Sequence, residues 1–127
     1  KKQVFVVQEH DASHLHYDLR LEKNGILSSW AVPKGIPQQS GIRRLAIKTE
    51  DHPLEYAEFQ GSIPKGQYGA GTVKIWDKGN YEQKIWDENK IEFTLKGKKL
   101  QGPYVLVRLN KAGKNNWLLM KVGKKIE

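Results

Sequence analysis

His14-Leu15-His16-Tyr17-Asp18-Leu19-Arg20-Leu21-Glu22 alternates apolar and polar residues without a break. Side chains along an extended strand point to opposite faces in turn. Leu15, Tyr17, Leu19 and Leu21 therefore share a face suited to a core. His14, His16, Asp18, Arg20 and Glu22 share the other, at steps of about 7 Å. Ordinary surface strands carry Lys, Thr, Glu and Ser at such positions. Three of the four histidines, His10, His14 and His16, lie close together in the chain. Imidazoles, a carboxylate and a guanidinium on one rigid edge suit a metal and phosphate site.

Short β segments surround this stretch. Val4–Gln8, His14–Glu22, Ile26–Val32, Arg43–Glu50, Thr72–Asp77, Tyr81–Trp86, Ile91–Lys96, Tyr104–Leu109 and Trp117–Val122 read as strands, from their alternation or β-branched and aromatic content. Turn signals separate them: Lys23-Asn24-Gly25, Lys78-Gly79-Asn80, Gly102-Pro103 and Lys111-Ala112-Gly113-Lys114. One short helix is expected at Pro53–Phe59, capped by Asp51 or His52. The expected fold is mainly β, a compact closed or nearly closed barrel of eight or nine short strands with one short helix. A single domain over residues 1–127 is expected, since no repeat, linker or boundary interrupts the pattern. Trp30, Trp76, Trp86 and Trp117 read as core, with Trp76 and Trp86 packing across a hairpin.

Two segments resist assignment as strands. Residues 33–41 form a loop with two prolines and two glycines. Residues 61–71 carry four glycines and are not a Walker A sequence. The second loop reads as a tight connection between strands, with close backbone approach to a ligand as the alternative.

Composition narrows the chemistry. The 127 residues are 38% hydrophobic and 28% charged, with no run long enough for a membrane-spanning helix and no signal-peptide pattern. Without Cys there is no disulfide, thiolate zinc site or cysteine nucleophile. A cytoplasmic location and a monomer are expected. The net charge is +8, and from Gly97 onward Lys98, Lys99, Arg108, Lys111, Lys114, Lys121, Lys124 and Lys125 face one acid, Glu127. That imbalance suits a polyanion such as nucleic acid, or a lysine-rich solvated surface.

His16 and Asp18 project from one strand face, and the Asp11-Ala12-Ser13 turn can bring His10 back to them. Two imidazoles and a carboxylate suit Mn²⁺, Fe²⁺, Zn²⁺ or Co²⁺ with open positions; the alternative is a surface strand with coincidental histidines. Arg20 continues the face and can grip phosphate, or pair with Glu22 or a neighbouring carboxylate. Arg44, Lys48 and Glu50 share a face of the next polar strand, which extends the same surface. His52 precedes the short helix, where backbone N–H groups favour an anion, and Tyr56 follows one turn later. A structural cap is the plainer reading of His52. His14 reads as a groove-lining or solvent residue.

Three motifs then line up in order. Gln8-Glu9-His10-Asp11-Ala12-Ser13-His14-Leu15-His16-Tyr17-Asp18-Leu19-Arg20-Leu21-Glu22, Ser29-Trp30-Ala31-Val32-Pro33-Lys34-Gly35, and the stretch from Glu50 to Gly71 resemble the 3′-phosphoesterase domain of bacterial DNA ligase D and its free-standing archaeal and bacterial relatives. The likeness runs from about Val4 to Trp76 and more weakly to the C-terminus. It implies a β-barrel with a crescent groove and a Mn²⁺-dependent hydrolase (Co²⁺ or Zn²⁺ as alternatives). Such an enzyme removes a 3′-terminal ribonucleotide and then hydrolyses the 3′-phosphate to a 3′-OH on primer–template DNA or RNA. A DNA ligase and polymerase of the same repair pathway are implied partners. By position, His10, His16 and Asp18 correspond to metal ligands; Arg20 and His52 to phosphate contacts, with Tyr56 beside them. Gln8, Lys34, Arg44 and Glu50 correspond to residues lining the substrate site. Family domains carry an N-terminal arm that contributes to the diesterase step. This sequence starts shortly before the first strand, so the phosphomonoesterase step is the primary expectation. Two other readings are a non-catalytic barrel that binds nucleic-acid 3′ ends, and a cupin-like metalloenzyme. The cupin reading lacks the expected glycine and distal histidine spacing and leaves Arg20 unexplained.

Overall fold

Asn24 and Gly25 take left-handed conformations, with φ of 55° and 82°. They close a two-residue hairpin between β2 (Leu15–Lys23) and β3 (Ile26–Val32), in which Lys23 pairs with Ile26. Asn-Gly suits that turn because its two central residues need positive φ. The computed structural model describes residues 2–109 and 115–123. The other elements are β1 (Gln3–Asp11), β4 (Arg43–Pro53), the 3₁₀ turn η1 (Leu54–Glu58), β5 (Gly61–Ile63), β6 (Gly71–Trp86), β7 (Lys90–Gly97), β8 (Gln101–Arg108) and β9 (Asn116–Lys121).

The sheet runs β1-β2-β3-β4-β9-β8-β7-β6, and antiparallel pairing of β1 with β6 closes it into an eight-stranded barrel. Among the described residues, closure leaves no long free edge on the ring. Strand β5 lies outside the ring, on β6. The expected barrel is therefore present, and several element boundaries differ. Thr72–Asp77 and Tyr81–Trp86 belong to the single strand β6. Gly79 is not a turn: it faces Phe5 on one side and Gly97 on the other. A Cβ there would fall 2.3 Å from the Lys96 carbonyl oxygen, so glycine marks a crowded strand crossing. Trp76 consequently packs against Tyr17 and Trp86 against Trp30, rather than against each other. Gly102 and Pro103 lie inside β8; the turn before it is residues 98–100. Pro53 is extended and ends β4, so Asp51 and His52 remain in the strand and no side chain caps η1. The expected Lys111–Lys114 turn lies outside the described residues.

Strand parity divides the buried residues into two sets. Phe5, Val7, Leu19, Leu21 and Trp30 point into the barrel with Phe93, Tyr104 and Leu119. Trp117 meets Trp30 edge-on, with centroids 5.8 Å apart. A second, smaller cluster lies on the other face of the wall: Val6 and Leu27, covered by Ala57, Tyr56 and Ile75. Leu15, expected in the core, is 48% exposed, near the end of β2 away from the packed interior.

Asp77 is buried in the barrel and holds the β7–β8 turn. Its carboxylate accepts backbone N–H bonds from Lys98, Lys99 and Leu100 at 2.9, 3.2 and 2.8 Å. A Cβ on Gly97 would lie 2.3 Å from Asp77 Oδ2 and 2.6 Å from Phe5 Cζ. Neither group can move cheaply. Gly97→Ala is expected to lower the unfolding free energy by about 2 kcal/mol, read as a fall in urea midpoint at constant m. An unchanged midpoint would show that the turn yields.

Candidate active site

The polar face of β2 points away from the barrel interior, yet it is buried. Asp18 and Arg20 are 6% and 4% exposed. Register explains the position: Gln8 lies opposite Asp18, His10 opposite His16, and Ser29 opposite Arg20. These residues share the outer face of the wall. Cover comes from η1, β5 and the loop of residues 64–70. Between wall and cover lies a cleft of about 320 Å³ that meets His10, His16, Asp18, Arg20, His52 and Tyr56.

A bulge brings His52 into this group. Trp30 pairs with Lys48 and Ser29 with Thr49, but Leu27 pairs with His52. Glu50 and Asp51 thus oppose the single residue Ser28. In an unbroken strand His52 would point the same way as Lys48 and Ala46. Those two face inward, with Ala46 in the core and Lys48 Nζ 5.1 Å from the Trp30 ring centroid. The extra residue reverses parity and turns His52 outward to Arg20. Register also overturns the expectation that Arg44 and Lys48 extend the His16–Arg20 face: Lys48 lies opposite Trp30 and Arg44 opposite Leu119, both of which point into the barrel. Arg44 and Lys34 line a separate depression with Pro33, Arg43 and Leu45. Nor does His52 stand before a helix N-terminus. It is a strand residue.

His10, His16 and Asp18 converge, with one candidate ligand atom from each within 4.8 Å of the others. His10 Nε2 lies 2.7 Å from the Gly69 carbonyl, and His16 Nδ1 lies 3.2 Å from the His14 carbonyl. A carbonyl only accepts, so each of these nitrogens donates its hydrogen. In the neutral rings His10 Nδ1 and His16 Nε2 are then bare. They stand 3.5 and 3.3 Å from the two Asp18 oxygens. Lone pairs facing a carboxylate at that range repel unless a proton or a cation lies between them. Backbone carbonyls that fix the outer ring nitrogen are the usual support for a metal-binding imidazole. The donor set fits a divalent cation with open positions.

Asp18 couples this cluster to Arg20, whose Nη2 donates to Oδ2 at 3.3 Å. Burial raises the Asp18 pKa, but the His16 bond and the Arg20 charge outweigh it and hold the carboxyl below its ordinary value. His16 is raised, chiefly by its bond to Asp18. Arg20 Nε donates to Gln8 Oε1 at 2.7 Å. Gln8 in turn donates to the carbonyls of Tyr56 and Phe59 at 2.9 and 3.1 Å. Gln8 is wholly buried, so it supports Arg20 and η1 from behind instead of lining the cleft. Three Arg20 N–H groups face Gln8, Asp18 and His52, which leaves one on each terminal nitrogen.

His52 Nδ1 lies 3.2 Å from Arg20 Nη1 and 3.1 Å from the Glu50 carbonyl. It cannot serve both. Burial and the Arg20 charge lower the His52 pKa, which favours the neutral ring. A cation that close favours a bare Nδ1, with the hydrogen on Nε2. The Tyr56 ring packs against His52 at a 40° tilt with centroids 4.6 Å apart, and lies under the Arg20 guanidinium at 4.9 Å. Burial raises its phenol pKa. Glu50 is exposed at the rim, and His14 is exposed and contributes its carbonyl. Thr49, Ile63, Tyr68 and Gly69 also line the cleft and were not anticipated. The 61–71 segment, which read as no strand, in fact opens with β5 and is more than a connection. Its glycines were the available signal, since Gly69 at φ +79° places its carbonyl against His10.

A family model described as the DNA Ligase D 3′-phosphoesterase domain matches residues 8–108. The chain is 49% identical over 123 residues to the multifunctional non-homologous end joining protein LigD of Pseudomonas aeruginosa, covering 92% of this chain and 15% of that protein. It is 50% identical over 125 residues to the same-named protein of Mycolicibacterium smegmatis, covering 90% of this chain and 16% of the relative. To the multifunctional non-homologous end joining DNA repair protein LigD of Mycobacterium tuberculosis it is 52% identical over 110 residues, covering 84% and 14%. The chain thus spans about 15% of the length of these relatives.

Two outcomes follow from the site's electrostatics. Gln8→Leu strands Arg20 Nε and two carbonyls and is expected to cost about 2–3 kcal/mol in urea unfolding; a loss below about 0.5 kcal/mol would mean that the network rearranges freely. His16, raised above 6.5, stabilises the fold fully below 6.5 and loses that contribution as pH rises through its folded value. In EDTA, His16→Gln should therefore destabilise more at about pH 5.5 than at about pH 8.5. Equal losses at both would remove the Asp18 coupling.

Proposed function

The chain belongs to the DNA ligase D 3′-phosphoesterase domain family, and on that premise we propose that it is a metal-dependent phosphoesterase that converts a nucleic-acid 3′-phosphate to a 3′-OH. Membership supports a hydrolase acting in 3′-end processing. The finer reading rests on one observation. A two-imidazole, one-carboxylate donor set shares Asp18 with a buried arginine at the floor of one cleft. That arrangement places a divalent cation and a guanidinium side by side for a phosphoryl group. The relatives are non-homologous end joining proteins, which supplies the setting; primer–template 3′ ends are the substrate we propose. A ligase and a polymerase are the partners expected there. Removal of a 3′-terminal ribonucleotide is the second activity to test.

His10, His16 and Asp18 would hold the cation, with Mn²⁺ as the first choice and Co²⁺ or Zn²⁺ as alternatives. A cation bound there supplies Lewis-acid polarisation and lowers the pKa of water. The chain's own residues do the rest. Arg20 presents its two remaining N–H groups to the phosphate oxygens, where charge builds in the transition state. Asp18, Gln8 and His52 fix the guanidinium plane, so little reorganisation is needed. His52, kept neutral, donates Nε2–H to the phosphate instead of acting as the proton source. Tyr56 packs both groups in place. Net positive charge draws the polyanion in.

The test uses a labelled primer–template ending in a 3′-phosphate, and a second ending in one ribonucleotide, with Mn²⁺, Co²⁺, Zn²⁺ or EDTA. Phosphate release only with metal is expected, and His16→Ala and Asp18→Ala should each abolish it while keeping the fold by circular dichroism. Tight binding with no turnover under any metal would select the non-catalytic end-binding barrel. His52→Ala should lower kcat about 100-fold yet keep the acid limb of the pH–rate profile, which arises from protons competing at His16 and Asp18. Loss of that limb would make His52 the general acid.

A further inference from the structure

Tyr68 is 88% exposed, well beyond the other exposed large apolar side chains, of which Leu15 at 48% is next. It also lines the cleft of His16, Arg20 and His52. Exposed aromatic surface of this size at the mouth of a site has a cost in water, which contact with a ligand removes.

The loop that presents Tyr68 is built rather than slack. Gln67 N–H donates to the Pro64 carbonyl at 3.2 Å, and Ala70 N–H donates to the Gln67 carbonyl at 3.1 Å. Gly66 and Gly69 occupy the third position of these successive turns with φ of +88° and +79°, as a type II turn requires. Tyr68 stands at the corner of the second turn. One residue later the Gly69 carbonyl is bonded by His10. Two residues beyond that, Gly71 packs so close that a Cβ would fall 2.2 Å from the Asp11 carbonyl oxygen. The C-terminal side of the turn is thus tied to β1 twice, its N-terminal side is held by the preceding turn, and the ring stands out at the cleft. Ile63 and Ala12 line the same cleft. The wall beside the phosphate-gripping side chains is therefore apolar and aromatic, unlike a site for inorganic phosphate alone.

A nucleotide 3′ end pairs a charged phosphate with a flat, apolar-faced base. We infer that Tyr68 is a stacking platform for the terminal nucleobase of the strand whose 3′-phosphate lies against Arg20 and His52. The inference rests on the phosphoesterase reading above. Stacking on tyrosine tolerates every base, because each has a π face, and it suits an enzyme that must accept any broken end. It would set the distance of the phosphate from the floor of the cleft, and so favour terminal over internal phosphates.

The experiment compares primer–templates with a 3′-phosphate on a normal terminal nucleotide and on an abasic terminal sugar, for the wild-type protein, Tyr68→Ala and Tyr68→Phe. With the normal end, Tyr68→Ala should raise KM roughly tenfold with kcat nearly unchanged, and Tyr68→Phe should restore it. The abasic end should cost the wild type a similar factor, and Tyr68→Ala should add nothing to it, as a coupled pair requires. Equal penalties of Tyr68→Ala on both ends would overturn stacking. A parallel anisotropy titration of a fluorescent oligonucleotide in EDTA reads binding without turnover. If the wild type released no phosphate but still bound the normal end more tightly than Tyr68→Ala did, the catalytic reading would fall and the stacking would stand. Equal binding there would overturn stacking as well.

Discussion

Arg20 is a guanidinium buried on the outside of a barrel wall, and much of the surrounding structure answers to that burial. A charge out of water needs partners for its donors and its sign. Gln8 and Asp18 supply them from β1 and β2, and His52 and Tyr56 from the end of β4 and from η1. Gln8 is the hinge of the arrangement. The same amide that accepts from Arg20 donates to two carbonyls of the η1 segment. The 3₁₀ turn that shields the arginine is therefore fastened by the residue that satisfies it.

The two faces of the wall have separate tasks. Inward, the aromatic and aliphatic interior holds the ring closed. Outward, a small apolar cluster of Val6, Leu27 and Ala57 anchors the cover. Between that cluster and the open rim lie the polar groups. Rigid strands fix the His16, Asp18 and Arg20 backbones, and backbone carbonyls fix the imidazoles. A site built this way has little rotamer freedom left to lose when it meets a charged ligand.

Asp18 belongs to two groups at once. It faces two imidazoles on one side and a guanidinium on the other. Its depressed pKa keeps it ionised, and the raised His16 and lowered His52 move in opposite directions beside it. Asp18 draws a proton toward one ring, while burial and Arg20 favour the neutral form of the other. Two histidines in one cleft are thus shifted in opposite directions, His16 chiefly by its bond to Asp18, and His52 by burial first and then by the Arg20 charge.

Much of this was legible in the chain. Alternation over residues 14–22 separates core from polar face by the two-residue period of a strand, and Asn24-Gly25 dictates the hairpin that follows. The types and spacing of His10, His16, Asp18 and Arg20 already pointed to one cluster, and the fold brings them together. Tertiary structure decided what local pattern cannot carry. A bulge at Glu50–Asp51 exists only against a partner strand, and it alone puts His52 with Arg20, while pairing with Trp30 and Leu119 turns Lys48 and Arg44 inward. Gly79 reads locally as a turn because glycine permits one, but the approach of Phe5 and Gly97 makes it a crossing. Which polar side chain is buried, as Gln8 is, and which aromatic stands exposed, as Tyr68 does, depends on elements brought together from distant parts of the sequence. Periodicity assigns a residue to a face; only the folded ring determines what lies over that face.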